Sequence, residues 1–105
     1  MLNQMITVIV PSKTKNNKQL NLAKNTKECH LEMIKLFGGA TQLPKQNGGF
    51  MMPNGKIMME ASTSIYAFCE AEKNLKEFFD FVFSIKVKYE QECIAIIING
   101  SMQFI

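Results

Sequence analysis

Apolar residues along this chain recur in two different periods, and the changes of period mark out the elements. Ile6-Thr7-Val8-Ile9-Val10 is a β-branched run stopped by Pro11 and reads as a first strand, apolar on both faces. Asn21 then caps a segment in which Leu22, Thr26, Cys29, Met33 and Leu36 fall on one helical stripe, with Lys24, Lys27, Glu28, Glu32 and Lys35 mostly opposite. Gly38 stands where a glycine ends a helix, and Gly39 lets the chain reverse. From Thr41 to Met52 an edge strand in two pieces is expected, because Pro44 cannot donate to a ladder and Gly48-Gly49 suggests a bulge or sharp bend. Asn54-Gly55 turns this segment into the longest strand, on which Ile57, Met59, Ala61, Thr63, Ile65, Ala67 and Cys69 share one face. Met58, Glu60, Ser62, Ser64, Tyr66 and Phe68 share the other.

Helical spacing returns over about Ala71 to Glu90, carried by Leu75, Phe78, Phe79, Val82, Ile85 and Tyr89, with Phe81 and Phe83 off the main stripe. The chain closes with Cys93–Ile98, an Asn99-Gly100 turn, and Ser101–Ile105, a terminal hairpin. The order β-α-β-β-α-β plus one strand predicts an α+β fold: a ferredoxin-like sandwich with an extra C-terminal strand. Two helices would cover one face of a mainly antiparallel sheet, and residues 1–105 would form a single domain.

Leu36-Phe37-Gly38-Gly39-Ala40-Thr41, Gly49-Phe50, Gly55-Lys56-Ile57 with Glu60, and Gln91-Glu92-Cys93-Ile94 leading to Asn99-Gly100 resemble a family of small bacterial proteins. These share a Leu-Phe-Gly-Gly-Ala-Thr turn, a Gly-Trp or Gly-Phe pair, a Gly-x-Ile-x-x-Glu strand and a terminal hairpin. The likeness runs from Val10-Pro11 to Phe104, and Phe50 stands where relatives often place Trp. It implies the fold and carries no activity or site.

Charge narrows the function classes. All twelve basic residues are lysine, and the formal net charge of +3 divides into +5 over residues 1–50 and −2 over 51–105. The absence of arginine disfavours base reading in nucleic acid, which leans on the bidentate guanidinium. Lys13, Lys15 and Lys18 make the most positive patch, a solvated loop able to meet an anion or acidic partner. Three scattered cysteines, none in a CxxC pair, point to buried thiols in a reducing compartment, and no apolar run reaches membrane-spanning length, so a soluble cytoplasmic protein is expected. The wealth of Lys, Asn and Ile points to an AT-rich genome, such as that of a low-GC bacterium, its phages or plasmids.

Catalytic constellations are few. Cys29 and His30 are consecutive on a helix and point about 100° apart, so they cannot form a nucleophile-base pair. No metal-ligand spacing or P-loop occurs, and no cofactor is implied. What remains is the strand face of Met58, Glu60, Tyr66 and Phe68, which is too apolar for a face left open to water and predicts a cover. A second copy is the expected cover, giving a homodimer through the sheet. The leading expectation is a non-enzymatic binding protein acting by stoichiometric capture of a partner, as a phage or mobile-element inhibitor of host defence would. One alternative is sequestration or hydrolysis of a small nucleotide-like anion, with Glu60 as base and the loop lysines as counter-charges. Another is RNA or DNA binding with Phe50, Tyr66 and Phe68 as stacking groups. The candidate binding residues are accordingly Lys13, Lys15, Lys18, Phe50, Asn54, Met58, Glu60, Tyr66 and Phe68.

Overall fold

The computed structural model describes residues 2–105. Its elements are β1 (Gln4–Pro11), α1 (Leu22–Phe37), β2 (Thr41–Gln42), β3 (Gln46–Met51), β4 (Ile57–Cys69), α2 (Leu75–Lys88), β5 (Ala95–Ile98) and β6 (Ser101–Phe104). The sheet order is β2-β4-β1-β5-β6, with β3 also on β4, and every pairing is antiparallel. This is the α+β arrangement that the alternation of periods predicts, with β6 as the added strand. The helices cover one face: Cys29 and Met33 of α1, with Phe78, Val82, Ile85 and Tyr89, bury Ile6, Val8, Val10, Ile65, Ala67 and Ile96.

Local chemistry sets the helix ends. The Asn21 side-chain oxygen accepts from the Lys24 N–H at 3.1 Å, and Gly38 closes α1 at φ +83° with its N–H on the Ile34 carbonyl. The second helix starts later than its periodicity suggests. Glu72 and Asn74 take positive φ, and the Asn74 side-chain amide donates to the Leu36 carbonyl instead of capping its own helix. That bond ties the start of α2 to the end of α1.

Two turn expectations are corrected. Gly48 and Gly49 lie in an unbroken ladder, facing Glu60 and Met59, and form no bulge. The irregularity sits at Pro44: Leu43, Pro44 and Lys45 span only Thr63 and Ser64 of β4, because proline has no N–H to give the ladder. The turn after β3 is also not a two-residue Asn-Gly turn. Gly55 donates to the Met52 carbonyl at 2.9 Å and alone takes positive φ, so Pro53-Asn54-Gly55 is a three-residue loop with proline at its start. Asn99-Gly100 does behave as a two-residue turn, both residues at positive φ.

The length of β4 carries it beyond the sheet. Its first residues pair only with β3, since β1 begins to pair at Ser62. Ile57–Ala61 and β3 therefore form a two-stranded arm beyond the sheet, and the molecule measures 45 × 26 × 24 Å. The arm carries Phe50, Met51, Ile57, Met58 and Met59, all exposed.

Candidate functional site

The outer sheet face, away from the helices, is apolar as expected. Met5, Phe68, Met102 and Phe104 are exposed on it, the last at 65%. Thr7 and Ser64 between them are buried by their neighbours.

Two clusters stand at opposite ends of this face. At the root of the arm the half-buried Glu60 accepts the Lys13 N–H at 3.2 Å through Oε1. Gly48 lies opposite and presents no side chain beside the carboxylate. Gln46 Nε2 donates to Ser64 Oγ at 2.8 Å, and Phe50 faces Met58 across the arm. The lysine loop is less free than a solvated loop: Lys13 bridges Gln19, Thr14 Oγ1 accepts from Lys18, and the Lys15 N–H donates to Glu90. Lys15 and Lys18 point into solvent, while Lys13 is half-buried.

At the other end lies a cavity of about 410 Å³ lined by Leu2, the Phe37–Thr41 turn, and Tyr66, Ala67 and Phe68. Tyr66 and Phe68 meet edge to face at 5.8 Å. The turn is pinned from two sides, by Asn74 on Leu36 and by His30, whose Nε2 donates to the Ala40 carbonyl at 2.8 Å. A Cβ on Gly38 or Gly39 would meet no atom within 4 Å, so the turn presents bare backbone to the space beside it.

The sheet edge adds polarity to this cavity. Leu43 donates to the Ser64 carbonyl, so alternate residues of β4 turn their peptide groups toward β2, Tyr66 and Phe68 among them. Met5, across from Phe68, spends its own N–H and carbonyl on Asn99. The ladder with β2 ends at Thr41 and Tyr66. The N–H and carbonyl of Phe68 thus open beside the cavity with no partner among the described residues.

The candidate residues consequently divide into groups. Phe50, Met58, Glu60 and Lys13 belong to the arm root, Tyr66 and Phe68 to the cavity, and Asn54 to the exposed arm tip, where its side chain accepts the Lys56 N–H. Six residues of strand separate Glu60 from Tyr66, roughly 20 Å, and Phe50 is farther still from Phe68. No small molecule touches both clusters of one chain, and the three aromatics form no single stacking platform. Leu2, the Phe37–Thr41 turn and Ala67 are the cavity residues that the candidate set lacks. The turn's signal in the sequence is its Gly-Gly-Ala-Thr run, which local pattern marks only as a chain reversal. Among the described residues no group of side chains could hold a metal ion.

No protein-family model and no curated protein sequence matches the chain. Among solved structures the backbone is similar to a phage SAM lyase in complex with S-methyl-5'-thioadenosine, with a TM-score of 0.71 and 12% identity over 97% of this chain and 88% of that one. It is also similar to a phage SAM lyase in the apo state, with a TM-score of 0.65 and 14% identity over 98% and 88%. At these identities the likeness is one of fold. No helix among the described residues is long and apolar enough to cross a membrane.

Proposed function

We propose that the protein binds an adenosine-bearing sulfonium of the S-adenosylmethionine type and cleaves it to a thioadenosine, as an assembly of like copies. The cavity at the glycine turn is the observation that carries this reading. Its volume lies in the range of small-molecule sites, and its walls are aromatic. The open Phe68 peptide offers one donor and one acceptor, the pair that an adenine ring nitrogen and its exocyclic amine require. The similarity of the whole backbone to a lyase holding S-methyl-5'-thioadenosine supports the same ligand class.

Such a reaction asks little of the protein. The sulfonium is already a good leaving group, and the carboxylate of the substrate can attack its own γ-carbon. The γ-carbon–sulfur bond breaks, its electron pair goes to sulfur, and a neutral thioether and a four-carbon lactone result, with no water or proton consumed. Opposite charges vanish as the transition state forms, so a dry apolar surround favours it. A site lined by Phe37, Tyr66, Phe68 and bare glycine backbone suits this chemistry, which needs no protein nucleophile. Glu60 would complement the cationic end of the ligand. Its separation from the cavity means that it would do so from a second copy, the arm reaching over the outer face of its neighbour. A phage or mobile element carrying this activity would deplete the methyl donor of host enzymes, defence enzymes among them.

The test is incubation with S-adenosylmethionine and quantification of S-methyl-5'-thioadenosine by mass spectrometry, for wild type and Glu60→Gln. Product formed by wild type and strongly reduced in the variant is expected. Substrate retained intact in a stoichiometric complex would make the protein a sponge, and neither product nor complex would remove the reading.

A further inference from the structure

The two helices lie on the same sheet and meet through Phe37 with Phe78, Cys29 with Tyr89 and Glu28 with Lys88, and the groove between them is a second surface with its own chemistry. It measures about 650 Å³. Its floor is Leu36, Phe81 and Ile85, and its walls carry Glu28 and Glu32 from α1 and Glu77 and Asp80 from α2. Four of the nine carboxylates of a chain with net charge +3 therefore converge on one apolar trough. The one cation lining it, Lys88, is held at the end by Glu28 at 2.9 Å, and Asp80 is held by Lys76 from outside. Among the described residues no lysine pairs with Glu32 or Glu77.

A further feature points inward. The Tyr89 hydroxyl, on a residue only 3% exposed, lines the groove and has one described partner, the Cys29 sulfur at 3.6 Å. The phenol and thiol satisfy each other there, and no buried side-chain oxygen or nitrogen among the described residues lacks a partner.

We infer that the groove between α1 and α2 docks a basic amphipathic helix of a partner protein. Leucine-like side chains of that helix would seat on Leu36, Phe81 and Ile85, and flanking lysines or arginines would meet Glu32 and Glu77 on the opposite walls. Both requirements follow from the groove: an apolar stripe for the floor and cations at its margins. This inference does not depend on the sulfonium reading, since the groove and the glycine-turn cavity share no residue.

The probe is a labelled helical peptide of about four turns with leucines on one stripe and lysines beside it, compared by fluorescence anisotropy with a peptide of the same composition in scrambled order. Expected is binding at least about tenfold tighter for the amphipathic order, and a loss of about tenfold or more in Glu32→Lys/Glu77→Lys. Glu60→Gln should bind the peptide as wild type does. Both variants are exposed or half-exposed side chains, and circular dichroism checks their folding. Glu32→Gln/Glu77→Gln gives a milder second test, with a smaller loss. Equal affinity for the scrambled peptide would overturn the inference. So would affinity indifferent to the Glu32 and Glu77 changes, or a drop in the oligomer mass of Glu32→Lys/Glu77→Lys, which would assign the groove to a second copy.

Discussion

The hydroxyls of Thr26 on α1 and Thr63 on β4 lie 2.6 Å apart and are both buried, a single polar clasp between helix and sheet. Each satisfies the other, so removing one leaves the other unpaired. Thr26→Val should cost about 1–3 kcal/mol, whereas Thr26→Val/Thr63→Val should come close to wild type. Urea unfolding of the two single variants and the double variant measures the coupling.

Beneath the helix groove, burial pushes the Cys29 thiol up to about 11 from 9.0, and burial also raises the Tyr89 phenol well above its ordinary value. Folding thus favours the protonated forms. The stability they contribute is complete below about pH 9, where the unfolded chain also keeps both protons. It falls as pH rises through 9 toward 11, where the unfolded chain alone releases them. Urea midpoints at pH 8 and pH 10.5 should differ, and Cys29→Ala should lessen the difference.

Thiol chemistry separates the three cysteines. Cys93 is exposed, while Cys29 and Cys69 are buried, with burial raising both of their thiols. An aromatic disulfide reagent should modify one thiol per chain quickly and the other two only with unfolding. Three fast thiols would contradict the packing of α1 on β4.

The glycines of the two Gly-Gly pairs should respond differently to alanine. Gly38 sits at φ +83°, where a Cβ is strained, and Gly38→Ala should cost about 1–2 kcal/mol. In Gly49→Ala the new Cβ would come within 2.7 Å of Met59 Sδ, the far part of a flexible and exposed side chain. Met59 can swing aside, so the change should stay within about 0.5 kcal/mol. Thermal melts of the two variants compare these directly.

The arm offers the sharpest test of self-association. An isolated two-stranded ribbon is marginal in water, and this one exposes Met58 and Phe50 on one face and Met59 and Ile57 on the other. If copies cover each other there, Met58→Lys/Phe50→Lys should lower the mass seen by light scattering while the circular dichroism spectrum is unchanged. A wild-type protein that runs as a monomer at all concentrations would end the proposal of an assembly.

The sequence by itself determined the elements and their order, because those depend on neighbours in the chain. Asn21 and Gly38 bound α1, Asn99-Gly100 forms its two-residue turn, and the period-2 pattern from Ile57 to Cys69 marks one continuous strand. The apolar character of the outer face was equally legible, since alternation assigns Met58, Tyr66 and Phe68 to one side of β4. Only the tertiary structure decided what lies beside what. Gly48-Gly49 and Pro44 are all turn-prone residues, and pairing with β4 alone shows that the ladder yields at the proline and runs straight through the glycines. Membership of one strand face also says nothing of reach: Glu60 and Tyr66 share a face yet stand roughly 20 Å apart, because each strand residue advances the chain by about 3.3 Å. The cavity at the glycine turn required His30, Asn74 and the open peptide of Phe68 to come together from four elements and the links between them, which no local pattern encodes.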